Sequence, residues 1–500
     1  MVSKRNQIIS FLLLFMCLFL SACSQGDSST ENGSATESGA TMSETQNSSI
    51  SGTTVPESQE SANVSLDSDE SEDQDIQDSS SDNEPGADET EAFELPSANS
   101  ALSENETAVA ASDIEGMSKS INSFNWSLYK EANPDSNIFY SPYSIASALI
   151  LADLGAEGQT KAEIEKTLNI SDLAVFLQSA HDYAAKQHGT TKITNASALW
   201  LDKSLELSEN YEEDFEKPAR ESLDADFHQA DFKNDLDTIK EEIKAWVNEN
   251  TDGMISNYES IVAKDTIASL LNAIYFYGEW MEPFDANDSY DSFFFGTKDR
   301  QETRMMRHVD IDLRYVPDFN GISALALPYS DGDLEMDIFI PNTPPKRAPR
   351  DEESAEAAAG KDIGEIWGGF EDELLRELDN AEKTKISTLI LPKFQMDLTF
   401  EGLKDALKNM GLKNAFSDNA DFNRLAKLMK LSDIAHKAKI EVDEEGSRAA
   451  AVTEITIELL GMAPTDEETI DFIVNQPFIY MIRDRSNGLV LFMGRVNYME

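Results

Sequence analysis

Glu444-Glu445-Gly446-Ser447-Arg448-Ala449-Ala450-Ala451-Val452-Thr453-Glu454-Ile455 opens as an acidic turn and continues as small and β-capable residues with no proline. Alternate positions separate it into two sets. Ser447, Ala449, Ala451, Thr453, Ile455, Ile457 and Leu459 form the first; Arg448, Ala450, Val452, Glu454, Thr456 and Glu458 form the second. In a β-strand the two sets face opposite sides of the sheet. All the charge lies in the second set, and everything in the first is small or apolar. The segment can therefore join a sheet with its first face on a core and its charges in water. Yet Gly446 at one end and Gly461-Met462-Ala463-Pro464 at the other read as loop. A loop written as a strand points to a segment that changes state. The plainer reading of the same residues is an edge strand, or a helix nucleated by the three alanines.

The rest of the 500-residue chain divides by composition. Lys4 and Arg5 precede an apolar run from Ile8 to Leu20 and the small-residue site Leu20-Ser21-Ala22-Cys23. This is the layout of a secretory leader, and the run is short for a transmembrane span. It resembles a bacterial lipoprotein signal, which implies a leader over 1–22, cleavage before Cys23 and lipid on its thiol. Cys17 leaves with the leader, so the mature chain has no second cysteine and no disulfide framework. Residues 24–112 hold 21 acidic residues, no Lys or Arg and one aromatic, Phe93. Such a segment buries too little apolar surface to offset the entropy of ordering. Residues 23–112 therefore read as a lipid-anchored acidic tether, with an r.m.s. span of about 50 Å before self-repulsion extends it.

Residues 113–500 keep a net charge of −35 out of the chain's −54. This acidity, without a basic stripe, argues against nucleic acid as a partner. Ile121, Phe124 and Leu128 share a helical face, and so do Leu403, Leu407 and Met410 ahead of a stop at Gly411. Ala198–Leu201 and Thr388–Leu391 read as buried strands. Phe478–Ile482 and Leu489–Gly494 flank a hairpin turn at 484–488. Helices and strands do not alternate regularly, which predicts an α+β fold. Residues 342–361 read as a surface insertion.

Enzyme signatures are missing. Five histidines, His181, His188, His228, His308 and His436, form no compact ligand pattern, although His181 and His188 are spaced to share a helix face. There is no G-x-S-x-G elbow and no phosphate-binding loop. No metal or cofactor is expected.

Several segments, taken in order, resemble the serpin family. They are Asn137–Ala146, Leu271–Trp280 with Pro283-Phe284, Leu391–Phe394, His436–Ala438, Asn475–Phe478 and Phe492–Val496. The resemblance covers 113–500. It implies three β-sheets, about nine helices and an exposed reactive loop whose hinge is Glu444, Glu445, Gly446, Ser447, Arg448, Ala449, Ala450 and Ala451. It implies suicide-substrate inhibition of serine, and in some members cysteine, endopeptidases. A protease cuts the loop, and the freed strand enters the main sheet with the enzyme still attached. By family spacing the scissile bond is Leu460–Gly461, with Leu459 or Met462 as alternatives. Leucine there suits the apolar primary pocket of chymotrypsin-, elastase- or subtilisin-like enzymes. Ser141, Ser144, Asn272 and His436 match the family's shutter, and Trp280 matches the breach where insertion starts. Lys161, Lys166 and Lys186 are interspersed with acids, so no heparin site is expected. A monomer at the bacterial cell surface, held only by its lipid, is the implied form. The alternative is a non-inhibitory serpin acting as a surface binding or structural protein.

Overall fold

A computed structural model describes residues 111–186, 188–342, 363–447 and 469–499. Cys23, the leader and the tether up to residue 110, 343–361, Arg448 to Ala451 and the Leu460–Gly461 bond lie outside the described residues.

The first helix, α1 (Ile114–Glu131), is capped by Asp113, whose carboxylate accepts from the Gly116 amide, and it buries Ile121, Phe124 and Leu128. After β1 (Ile138–Tyr140) comes α2 (Pro142–Gly155), buried along its whole length. Its cap is Ser141, and Pro142 opens its first turn, where the missing amide costs nothing. Then follow α3 (Gly158–Thr167), α4 (Leu173–Ala184), β2 (Lys192–Asp202), α5 (Lys217–Leu223), β3 (Asp226–Ala230) and α6 (Leu236–Asn250). A run of strands succeeds them: β4 (Ala268–Glu279), β5 (Tyr290–Phe295), β6 (Arg300–Phe319), β7 (Ile322–Pro328) and β8 (Leu334–Pro341). The C-terminal part holds α7 (Ile363–Ile366), α8 (Glu371–Asn380), β9 (Lys383–Pro392), β10 (Phe394–Thr399) and α9 (Leu403–Asn409). It ends with β11 (Asp433–Val442), β12 (Gly446–Ser447), β13 (Asp471–Ile473), β14 (Phe478–Asp484) and β15 (Leu489–Val496).

Among the described residues the strands make two hydrogen-bonded sheets. One has six strands in the order β10-β11-β12-β4-β2-β3, with β11 and β4 also paired directly. The other has nine, because the twenty-residue β6 pairs with β5, β9 and β7 along successive stretches of its length. Two of the three expected sheets are thus joined through β6. The predicted hairpin is β14–β15, and Gly488 takes the left-handed backbone (φ +77°) that its turn needs.

The six-stranded sheet lies between two apolar layers. Leu271 and Ala273 of β4 and Ala435 of β11 pack with Ile239, Ile243 and Trp246 of α6. Leu270, Ile274 and Phe276 of β4, with Ile434, Ala438 and Ile440 of β11, belong instead to the central core with α2. Strand alternation thus assigns each residue of β4 and β11 to one layer or the other. His181 lies in α4, but that helix ends at Ala184, so His188 does not share its face.

Candidate functional site

The site is the end of β11 and the chain that leaves it. Asp443 starts a tight turn: its carboxylate accepts from the Glu445 and Gly446 amides at 3.0 and 3.2 Å, and its amide donates to Gly446 O at 2.9 Å. The turn is clamped from outside. Trp280 donates its ring N–H to Asp443 O at 3.0 Å and its backbone N–H to Glu445 O at 2.9 Å. The Phe284 amide donates to Glu444 O at 2.9 Å. The Glu444 carboxylate accepts from Lys393 Nζ at 2.8 Å and Ser289 Oγ at 2.9 Å. Burial pushes that carboxyl up, but these donors outweigh burial and hold it below the usual range.

Beyond the turn the chain enters the sheet. Gly446 and Ser447 form β12, antiparallel to β4 through Gly446↔Glu279 and Ser447↔Gly278 and to β11 through Ser447↔Val442. Gly446 therefore belongs to a strand, not the loop its sequence suggests. Glycine is required there because a Cβ would overlap the Gly278 carbonyl oxygen. Ser447 is 1% exposed, and its hydroxyl hydrogen-bonds the buried Tyr329 hydroxyl at 2.8 Å. Tyr329 in turn stacks on Trp280, ring centroids 4.7 Å apart. The first set of the reactive segment thus begins facing inward, as its composition predicts.

Below β12 the two flanking strands meet. β4 and β11 pair in parallel over five rows, from Asp433↔Ser269 to Lys437↔Ala273. One of these rows is His436↔Asn272. His436 Nε2 accepts the Ser141 amide at 3.0 Å, and Ser141 Oγ accepts the Ser144 amide at 3.1 Å. Asn272 donates to Asn195 Oδ1 and Ser197 Oγ, both at 3.0 Å. Full burial lowers the His436 pKa to about 3, so the ring is neutral. Asn272 Oδ1, His436 Nδ1 and Ser144 Oγ are buried without a hydrogen-bond partner among the described residues.

Ser141, Ser144, Asn272 and His436 therefore form one cluster, while Trp280 stands at the hinge. Sequence reasoning missed Asn195, Ser197, Ser289, Tyr329 and Lys393. Asn195 and Ser197, alternate polar residues in a strand that becomes apolar at Ala198, carried the only local signal. Among the described residues no group of three or more His, Cys, Asp or Glu is placed to hold a metal, and no helix is long and apolar enough to cross a bilayer.

A family model described as serpin (serine protease inhibitor) matches residues 119–499. The chain belongs to the serpin family. It is 30% identical over 384 residues to an uncharacterized serpin-like protein of Thermococcus kodakarensis, covering 75% of this chain and 84% of that one. It is also 30% identical over 377 residues to the leukocyte elastase inhibitor of Bos taurus, covering 73% and 94%. Among solved structures, the thermophilic serpin tengpin in its native state aligns with a TM-score of 0.64 at 25% identity, covering 79% of this serpin and 96% of tengpin.

Proposed function

We propose that this serpin inhibits serine endopeptidases as a suicide substrate, by cleavage at Leu460–Gly461 and insertion of the freed loop between β4 and β11. The observation that carries the reading is the register of β12. Continued past Ser447, the same antiparallel count sets Ala449 level with Phe276 and Ile440, and Ala451 level with Ile274 and Ala438. It sets Thr453 level with Asn272 and His436, the pair already matched across β4 and β11, and Ile455 level with Leu270 and Ile434. All eight of these neighbours are buried. Thr453 would bring a hydroxyl to the row where Asn272 Oδ1 and His436 Nδ1 lack partners. The second set falls level with residues of the opposite face, among them Tyr275 and Lys439 beside Ala450.

The chemistry follows. The protease serine oxygen bonds to the Leu460 carbonyl carbon, the amide to Gly461 breaks, and Gly461 leaves as an amine with a proton from the protease's own base. Insertion then exchanges the five direct β4–β11 rows for pairing on both sides of the new strand. Each backbone hydrogen bond gained contributes roughly 0.5–1.5 kcal/mol net. The attached protease is carried along, and distortion of its oxyanion hole halts attack by water. The inhibitor is consumed and does not turn over. Leucine at the cut favours chymotrypsin-, elastase- or subtilisin-like targets, and the inhibitory names of curated relatives support the class. A non-inhibitory role would tolerate bulky or charged residues on the inserting face of the hinge, where this chain has Ser447, Ala449 and Ala451.

The reading extends to cleavage before Cys23, lipid on its thiol, and residues 23–112 as a spacer between a bacterial surface and the domain. Lys161 is engaged by Asp153 and Glu165, and Lys186 by Asp484 and Asp333, which supports the expectation of no heparin site. The test is the melting temperature before and after a single cut near Leu460. Insertion raises it, because the freed loop gains backbone hydrogen bonds on both sides; an unchanged value excludes insertion.

A further inference from the structure

Leu428 is 98% exposed, and it is not on a floppy tip. Lys427 is tied on one side, its amide donating to Glu206 O at 3.1 Å and its ammonium pairing with the Glu206 carboxylate at 2.7 Å. Met429 is 2% exposed on the other side. Leu428 itself takes a left-handed backbone, φ +55°, a conformation that strains a leucine. A glycine there would relieve the strain and remove an apolar side chain from water. The chain keeps leucine. Leu428 lines an open cleft of about 1100 Å³ with Ile261, itself 50% exposed, and with Asp265, Phe416, Met429 and Asp433.

The position of this cleft is informative. It lies where β4 and β11 begin, at the opposite end of those strands from β12. The β12 register, extended to the cut, sets Ile457 level with Ala268, the first residue of β4. Three residues further, about 10 Å at strand spacing, Leu460 comes level with Asp265 on one side and Met429 on the other. Its carbonyl, the atom bonded to the protease, would then stand over the cleft, one position from Leu428.

We infer that Leu428, with Ile261 across the cleft, is the seat against which the trapped serine protease is pressed after insertion. This rests on the suicide-substrate reading. The occupant is the protease esterified to Leu460, since the loop length ends at this cleft. The strained leucine supplies a rigid apolar contact at the moment the enzyme arrives, and that contact helps keep the enzyme distorted. Leu428 is a positioning residue: it acts after acylation and touches neither the cut nor the hinge.

The test uses the full chain, as wild type, Leu428→Gly and Leu428→Asp, with chymotrypsin, pancreatic elastase and subtilisin. The association rate, the melting temperature of the intact inhibitor and the rate at which active protease escapes from the isolated complex are measured. The expected result is an unchanged association rate, a melting temperature equal to or above wild type for Leu428→Gly, and escape about five- to tenfold faster for both variants. A merely structural role would not couple a more stable inhibitor to a weaker trap. Escape at the wild-type rate in both variants overturns the inference alone. Absence of any SDS-stable complex with the wild-type chain overturns the functional reading and this inference with it.

Discussion

Ala449→Arg puts the insertion register under the most direct strain. Ala449 would enter level with Phe276 and Ile440, which are 4% and 3% exposed, and both belong to the central core. Neither offers a carboxylate or a hydrogen-bond acceptor side chain. An unpaired charge forced into such a row costs several kcal/mol. If about 3 kcal/mol of that falls on the insertion barrier, insertion slows by a factor of roughly 150. Deacylation is untouched, because it is the protease's own chemistry. The ratio of trapped to cleaved inhibitor therefore falls by the same factor, and nearly every encounter ends in a cut inhibitor and a free enzyme. Ala451→Glu, level with Ile274 and Ala438, has the same effect. Ala450→Glu is the comparison: it falls level with Tyr275 and Lys439 on the opposite face, where a carboxylate meets an ammonium. Its ratio should stay within about threefold of wild type. The assay is the yield of SDS-stable complex against cleaved inhibitor at a fixed protease dose. Equal ratios for the inward and outward substitutions refute the two-set argument.

Two further outcomes follow from the geometry and two from the sequence. His436 is neutral when folded, with its pKa near 3, and titrates near 6.5 when unfolded. Its contribution is whole above pH 6.5 and is lost between 6.5 and 3 at about 1.4 kcal/mol per pH unit, on the order of 5 kcal/mol in all. Urea midpoints measured from pH 7 to 5 should fall for wild type and fall less steeply for His436→Gln; parallel slopes count against the assignment. Glu444→Lys sets an ammonium against Lys393 and removes the bond from Ser289. The loss is about 1–3 kcal/mol, and adding Lys393→Glu should recover part of the melting temperature, whereas no recovery means the pair is not coupled. Cys23→Ala should move the protein from the membrane fraction to the medium, and 113–500 alone should fold and inhibit; retention of the variant, or loss of inhibition by the truncation, breaks the tether reading.

Much of the fold was legible because its elements announce themselves locally. The Ile121–Phe124–Leu128 stripe, the Met410-Gly411 stop and the β14–β15 hairpin each need only a few adjacent residues to be read. Of the hinge's alternating set only Ser447 is described, and it faces inward as its place in the pattern predicts, but its state as a strand was not legible. Gly446 reads as a loop residue, and only the carbonyl of Gly278 against it shows why a strand needs glycine there. The site's other members escaped because their roles depend on distant partners. Tyr329 meets Ser447 across 118 positions of sequence, and Asn272 meets Asn195 across 77. A tyrosine at the end of an apolar strand carries no mark of the hydroxyl it will hold. The continuity of two of the expected sheets through β6 was not legible for a similar reason, since only pairing shows that one long strand bonds to β5, β9 and β7 in turn.

The measurement that tests the central claim most directly is mass analysis of the product formed with a chymotrypsin- or elastase-like protease after denaturation in SDS. A covalent one-to-one complex is expected, with the protease serine esterified to Leu460 and the fragment beginning at Gly461 released from the bond. Recovery of free protease and a chain cut at that position, with no covalent complex at any time point, would show that the loop is a substrate and not a trap.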